Sequence, residues 1–181
     1  TSIKPRLKQD FSVKVLALAI RREISILQDL SCLFKLMSIF KANRFDLIFS
    51  LAPKAGLLAL LAGFILRVPV RMHMFVGQIW VTKKGLIRFI LKSIDRMMVV
   101  MGTHILTDSV SQRKFLESEG VARQGRLVVI ADGSSCGVNE ARFKPDADAR
   151  SKVRAMYRMP DDAVMLLFLG RLNIDKGALD L

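Results

Sequence analysis

Apolar residues fall along this chain in short blocks that switch between the spacing of a strand and that of a helix. Residues 11–20 (FSVKVLALAI) become almost wholly apolar, the pattern of a strand buried on both faces of a parallel sheet. Leu27, Leu30, Leu33, Phe34, Met37 and Phe40 then recur at helical spacing while Lys35 and Lys41 face away. Ser25 with Gln28 three residues on predicts a capping box at the start of that helix. A short strand is expected over 45–51 (FDLIFSL), and Pro53-Lys54-Ala55-Gly56 opens a helix over 57–66. Its small residues Gly56, Ala59, Ala62 and Gly63 suit close packing of helix on strand.

The alternation continues with a strand over 68–75 (VPVRMHMF), a loop at Gly77-Gln78-Ile79-Trp80, and a long helix from about Lys83 to Met101. That helix divides into an apolar face (Leu86, Phe89, Ile90, Ile94, Met97, Met98) and a basic one (Lys83, Lys84, Arg88, Lys92, Arg96), and the apolar face is expected to be buried. Residues 103–107 read as a strand, and Ser111 as the cap of a helix over 112–119 closed by Gly120. Residues 126–131 are the next strand, followed by the turn-rich loop Asp132-Gly133-Ser134-Ser135-Cys136-Gly137. A polar helix over 148–158 and a strand over 164–169 complete the series. Strands alternating with helices in this way predict an α/β fold, a Rossmann-like doubly wound parallel sheet whose ligands sit beyond the carboxyl ends of its strands. Lys54, His73, Gly77, Ser109, Gly133 and Arg171 all fall at those ends or in the loops just after them.

The last strand ends in Gly170-Arg171 and is followed by Lys176 at a helix start. A glycine that lets a ligand approach, a planar guanidinium and a nearby ammonium make a mount for a phosphorylated ligand. It is not a P-loop, because no Gly precedes Lys176 and no Ser or Thr follows it.

Charge sharpens the division of the chain. Of a formal net charge of +13, residues 1–53 carry +5, residues 54–114 carry +8 and residues 115–181 carry none. The change in balance places a domain boundary near residues 139–145, with residues 1–138 before it and the start of a second domain in 146–181. The basic part suits an anionic membrane surface or a phosphorylated substrate. With one Trp, one Tyr, no aromatic ladder among the basic residues and no zinc-finger spacing, nucleic acid is excluded as a partner. Cys32 and Cys136 have no metal-ligand or disulfide-framework spacing and fit a reducing interior. The 12 uncharged residues between Lys54 and Arg67 fall short of the roughly 20 that span a bilayer. No signal segment is read at the start of the chain, which is taken to be a fragment.

The segments APKAGLLALLAGFILRVPVRMHMFVGQIW (52–80), TKKGLIRFILKSID, THILTDSVSQRKFL, DGSSCGVNEARFKP and FLGRLNIDKGALDL, in that order, resemble bacterial family 4 glycosyltransferases of the GT-B fold. The likeness is greatest to those that assemble capsule, O-antigen and related surface polysaccharides. It implies two Rossmann-like domains, an acceptor-side domain over 1–138 and the beginning of a nucleotide-sugar domain over 146–181. It also implies retaining, metal-independent transfer from a nucleotide-sugar, commonly a UDP-sugar, to a lipid-linked or saccharide acceptor at the inner face of the cytoplasmic membrane. In that frame Arg171 and Lys176, with Gly170, correspond to the family's contact to the donor diphosphate. His73 corresponds to the His near the donor sugar and is the candidate catalytic residue, while Lys54, Gly77 and Gln78 shape the cleft on the acceptor side.

Departures from the pattern are specific. The family usually has polar residues before PKAG, where this chain has Phe49-Ser50-Leu51-Ala52, and Asn and Asp where it has Asp132 and Asn139. The resemblance places a glycine-rich loop before Thr1 and a paired-Glu motif beyond Leu181, so this chain by itself is expected to be inactive. Without a sheet to join, the strand over 164–169 is expected to leave apolar surface exposed. The competing expectation is a non-catalytic, basic peripheral membrane or scaffolding module that keeps a Rossmann shell.

Overall fold

A computed structural model describes residues 13–20, 25–134, 136–170, 172 and 177. The chain separates into two compact units, Thr1–Cys136 and Gly137–Leu181. In the first, helix α1 (Ile26–Asn43) leads to strand β1 (Leu47–Ser50), helix α2 (Pro53–Ile65) and strand β2 (Val70–Phe75). A 3-10 turn (Ile79–Thr82), helix α3 (Gly85–Met101), strand β3 (His104–Thr107), helix α4 (Val110–Ser118) and strand β4 (Leu127–Val129) follow. The four strands form one parallel sheet in the order β1-β2-β3-β4, flanked by helices: an α/β, Rossmann-like arrangement.

Helix α2 is the hub of this unit. It is apolar on nearly every side because it faces two cores at once. Leu60 belongs to a cluster with Phe75, Trp80, Met98, Ile105 and Leu116, whereas Leu58 and Ala62 belong to one with Leu33, Leu36, Phe40 and Ile48. The small residues read from the sequence are what let it approach the sheet. A Cβ on Gly56 would lie 2.6 Å from Cε1 of His73, and one on Gly63 would lie 2.4 Å from Cδ1 of Ile48. Pro53 at the first turn starts the helix four residues earlier than expected.

Local expectations fail where a partner for the backbone was misjudged. The capping box does not form: the Ser25 side chain makes no cap hydrogen bond, and Ser25 N–H donates instead to Oδ2 of Asp29. Ser109, not Ser111, caps α4, its hydroxyl accepting from Gln112 N–H. Of the expected strand over 11–20, residues 13–20 form no strand, and the first two lie outside the described residues. A strand exists only through its neighbours, and β1 pairs with β2 alone among the described strands.

Helix α3 departs most from expectation. Leu86 and Phe89, placed on the buried face, are 72% and 62% exposed, and Ile90 and Met97 are also exposed. Ile94 and Met98 of the expected apolar face do turn inward, and half-buried Arg88, Lys92 and Arg96 join them, while Lys83 and Lys84 stay exposed. Arg88 and Lys92 both bond Oε2 of Glu119 at 2.7 and 2.6 Å, and both lie over the Trp80 ring. Nε of Arg96 donates to the Gly120 carbonyl. An acid at the end of α4 and an aromatic face thus supply partners that outweigh the usual preference of apolar side chains for the interior. At the other end of α3, Arg71 donates to the Met101 carbonyl and Arg126 to those of Val99 and Gly102, satisfying groups a helix end leaves open.

The second unit contains helix α5 (Ala147–Met156), capped by Asp146, whose carboxylate accepts from Ala149 N–H. Buried Arg154 donates to the carbonyls of Pro160 and Ala163 and closes the following turn. Residues 164–169 form no strand, contrary to expectation, and Leu166, Leu167 and Leu169 are exposed, Leu169 to 92%. The reason is the same as at 13–20: an apolar run without a neighbouring strand has no ladder to enter.

Replacing Gly56 by Ala weighs a helix-propensity gain of at most ~1 kcal/mol against overpacking of His73, which costs ~1–3 kcal/mol. Because that ring is enclosed, Gly56→Ala should lower the free energy of urea unfolding by about 1 kcal/mol or more. An increase in stability would contradict the packing described.

Candidate functional site

The loops at the carboxyl ends of β1 and β2 border a cavity of about 400 Å³. Its walls come from the first turns of α2, the segment after β2 and the buried side of α3. Lys54 and Gly77, two of the three residues expected to shape a cleft, line it together. Lys54 reaches it from the first turn of α2 and forms a 2.7 Å ion pair with Asp29 of α1. The Lys54 hydrogen bond holds the Asp29 carboxyl below the usual carboxylate range. Gly77, at φ +151°, makes the turn out of β2 in a backbone region that favours glycine. Gln78, the third, precedes the 3-10 turn, and its buried Nε2 has no hydrogen-bond partner among the described residues.

His73 is placed differently. Its ring is 1% exposed, lies edge-on to Phe75 at 4.9 Å, and has Nδ1 2.8 Å from Oγ of Ser50, its direct register partner in β1. Burial pushes its pKa down to about 4, so the imidazole is neutral at physiological pH. It lies beneath the start of α2 against Gly56 and does not line the cavity. Gly170 is exposed in the second unit, and Arg171 and Lys176 lie outside the described residues.

Two residues not singled out as functional complete the cavity wall. Trp80, the sole tryptophan, is 1% exposed and stacks on Phe115 at 5.6 Å. Its Nε1–H donates to Oδ2 of Asp95 at 2.7 Å. Asp95 is buried, and desolvation raises its pKa to about 6, opposed by the Trp80 hydrogen bond. A signal was present in the sequence, since Asp95 is the lone acid of a helix otherwise rich in Lys and Arg. Chemically, the cavity is an apolar chamber with one titratable carboxyl inside and an ion pair on its wall. Among the described residues, no group of three or more His, Cys, Asp or Glu could hold a metal ion, and no helix is long and apolar enough to cross a membrane.

No protein-family model matches the chain. It is 28% identical over 158 residues, 87% of its length, to the capsular polysaccharide biosynthesis glycosyltransferase CapM of Staphylococcus aureus. That similarity reaches from the sheet into the second unit. The match takes in 41% of the relative, so the chain spans about two fifths of its length.

Asp95 gives a pH dependence with a definite sign. Its folded pKa, about 6, lies above the ordinary 3.8, so the stability it contributes is full below pH ~4 and is lost as pH rises through 6. Asp95→Asn keeps an acceptor for Trp80 and removes the titration. Relative to the wild type, the variant should gain about 2 kcal/mol in urea unfolding between pH 4 and pH 8. A difference between the two proteins that does not change with pH would contradict the buried, titrating carboxyl.

Proposed function

We propose that the full-length protein built on this chain is a glycosyltransferase of surface polysaccharide assembly. It transfers a sugar from a nucleotide-sugar, a UDP-sugar, to a lipid-linked or saccharide acceptor in the making of capsule or O-antigen-type polymers. The observation that carries this reading is the 28% identity over 87% of the chain to a capsular polysaccharide glycosyltransferase. A parallel sheet with a cavity at its carboxyl ends is a suitable acceptor-side scaffold.

In the proposed reaction the bond between the anomeric carbon and the diphosphate breaks, and the diphosphate leaves with the electron pair. The acceptor hydroxyl bonds to the same face of that carbon, and its proton passes to an oxygen of the departing diphosphate. The leaving group gathers negative charge, and without a metal the cations that stabilise it are Arg171 and Lys176 beside Gly170. His73, enclosed between Ser50 and Gly56, acts here as a positioning residue that fixes the start of α2 rather than by touching the sugar. Lys54 and Gly77 sit on the acceptor side. In this reading the protein works at the inner face of the cytoplasmic membrane, held there peripherally.

A second reading is favoured by one observation: Leu86, Ile87, Phe89 and Ile90 are exposed beside Lys83 and Lys84. That surface suits a non-catalytic peripheral membrane module as well as an enzyme. Flotation with anionic vesicles reports on the surface, and calorimetry with UDP on the enzyme. In the full-length protein Arg171→Ala should weaken UDP binding at least tenfold, while the 181-residue chain alone should transfer no sugar. Absence of UDP binding by the full-length protein would overturn the donor assignment, and transfer by the isolated chain would overturn the need for the remainder.

A further inference from the structure

The cations of α3 are drawn to one side of the helix, and an apolar seam is left on the other. Arg88 and Lys92 turn to Glu119 and the Trp80 ring, and Arg96 to the Gly120 carbonyl. Leu86, Phe89, Ile90, Met97 and Val100 stay exposed from the first turn to the last, and every ionisable residue between them is at least partly buried. At 3.6 residues per turn these five fall within about 60° of Ser93, on the side of the helix opposite buried Asp95. The seam is symmetric about Ser93: Leu86 and Val100 lie seven residues either side of it, and Phe89 and Met97 four. A narrow seam of heptad spacing suits another helix better than a membrane surface, which takes a wider apolar face. Its symmetry is what a two-fold contact needs, because such a contact sets residue i against j and j against i.

We propose that α3 is a self-association surface, on which two copies of this chain pair their α3 helices antiparallel about a two-fold axis at Ser93. In that register Leu86 meets Val100 of the second copy, Phe89 meets Met97, and Ser93 meets its own counterpart. The small Ser93 side chains let the helices cross closely, and Phe89 gains a thioether contact. Charge favours the antiparallel sense: it sends Lys83 and Lys84 of the two copies to opposite ends, whereas parallel helices would crowd four ammonium groups together. From their exposure the five apolar side chains offer roughly 600 Å² per copy, so a pair buries ~1,200 Å², the size at which specific interfaces begin. The pairing needs neither donor nor acceptor, so it stands whether or not the full-length protein transfers sugar.

Cysteine cross-linking tests the register in the 181-residue chain carrying Cys136→Ser, which removes the exposed thiol and leaves Cys32 buried. Under mild oxidation Ser93→Cys should form a disulfide-linked dimer at least tenfold faster than Ile87→Cys, which is exposed but lies off the seam. Leu86→Cys should link to Val100→Cys when the two variants are mixed, and to itself no faster than Ile87→Cys does. In sedimentation velocity the wild type should form a saturable species of twice the chain's mass. Phe89→Glu should return it to the monomer, and Met97→Glu provides the same check should the first variant fold poorly by circular dichroism. The proposal is overturned by equal cross-linking of Ser93→Cys and Ile87→Cys, by fast self-linking of Leu86→Cys, or by a folded Glu variant that pairs as the wild type does. Association carried by the exposed run at 164–169 would persist in both Glu variants and so gives that last result. A wild type that stays monomeric also overturns it, and flotation of that monomer with phosphatidylglycerol vesicles would assign the stripe to lipid instead.

Discussion

The first unit depends on how closely α2 lies on the sheet. Two glycines permit the approach, Gly56 over the His73 ring and Gly63 over Ile48, each so close that an added Cβ would force its neighbour to shift. From this contact the rest follows. Leu60 reaches one apolar cluster while Leu58 and Ala62 reach the other, so the two cores are joined through one helix. The start of α2, with Lys54, is set at the carboxyl end of β1, where it forms one wall of the cavity. His73 is enclosed against the sheet and neutral, with its Nδ1 within hydrogen-bond distance of the Ser50 hydroxyl.

The charge of the chain has a different meaning once partners are counted. Arg71 and Arg126 satisfy carbonyls at the end of α3, and Arg88, Lys92 and Arg96 hold α3 to the end of α4. Much of the local positive excess is therefore engaged inside the fold. What remains outward on the first half of α3 is apolar, flanked by Lys83 and Lys84.

Strand–helix alternation and the small residues of α2 were legible in the sequence because both are local signals of what a buried parallel sheet needs. The buried face of α3 was legible only in part. Ile94 and Met98 turn inward as periodicity expects. Glu119 and the Trp80 ring, which come from elsewhere in the chain, draw Arg88 and Lys92 in beside them while Leu86, Phe89, Ile90 and Met97 stay outside. Residues 13–20 and 164–169 read as strands by composition, yet a parallel strand is made by its neighbours, and neither segment has one among the described residues. For the same reason Ser25 looked like half of a capping box until Asp29, one residue past Gln28, took the bond. Of the candidate site, Lys54 and Gly77 were found by their place at strand ends, whereas Trp80 and Asp95 meet through a 15-residue separation that no spacing rule announces.

The packing of α2 on β2 is tested most directly by proton NMR of His73, with the His104 resonance assigned by a His104→Gln variant. The enclosure by Gly56, Ser50 and Phe75 predicts a midpoint near pH 4 for the His73 ring. A midpoint close to the ordinary value of about 6.5 would mean that the ring meets water, and it would contradict the close approach on which the cavity and both cores depend.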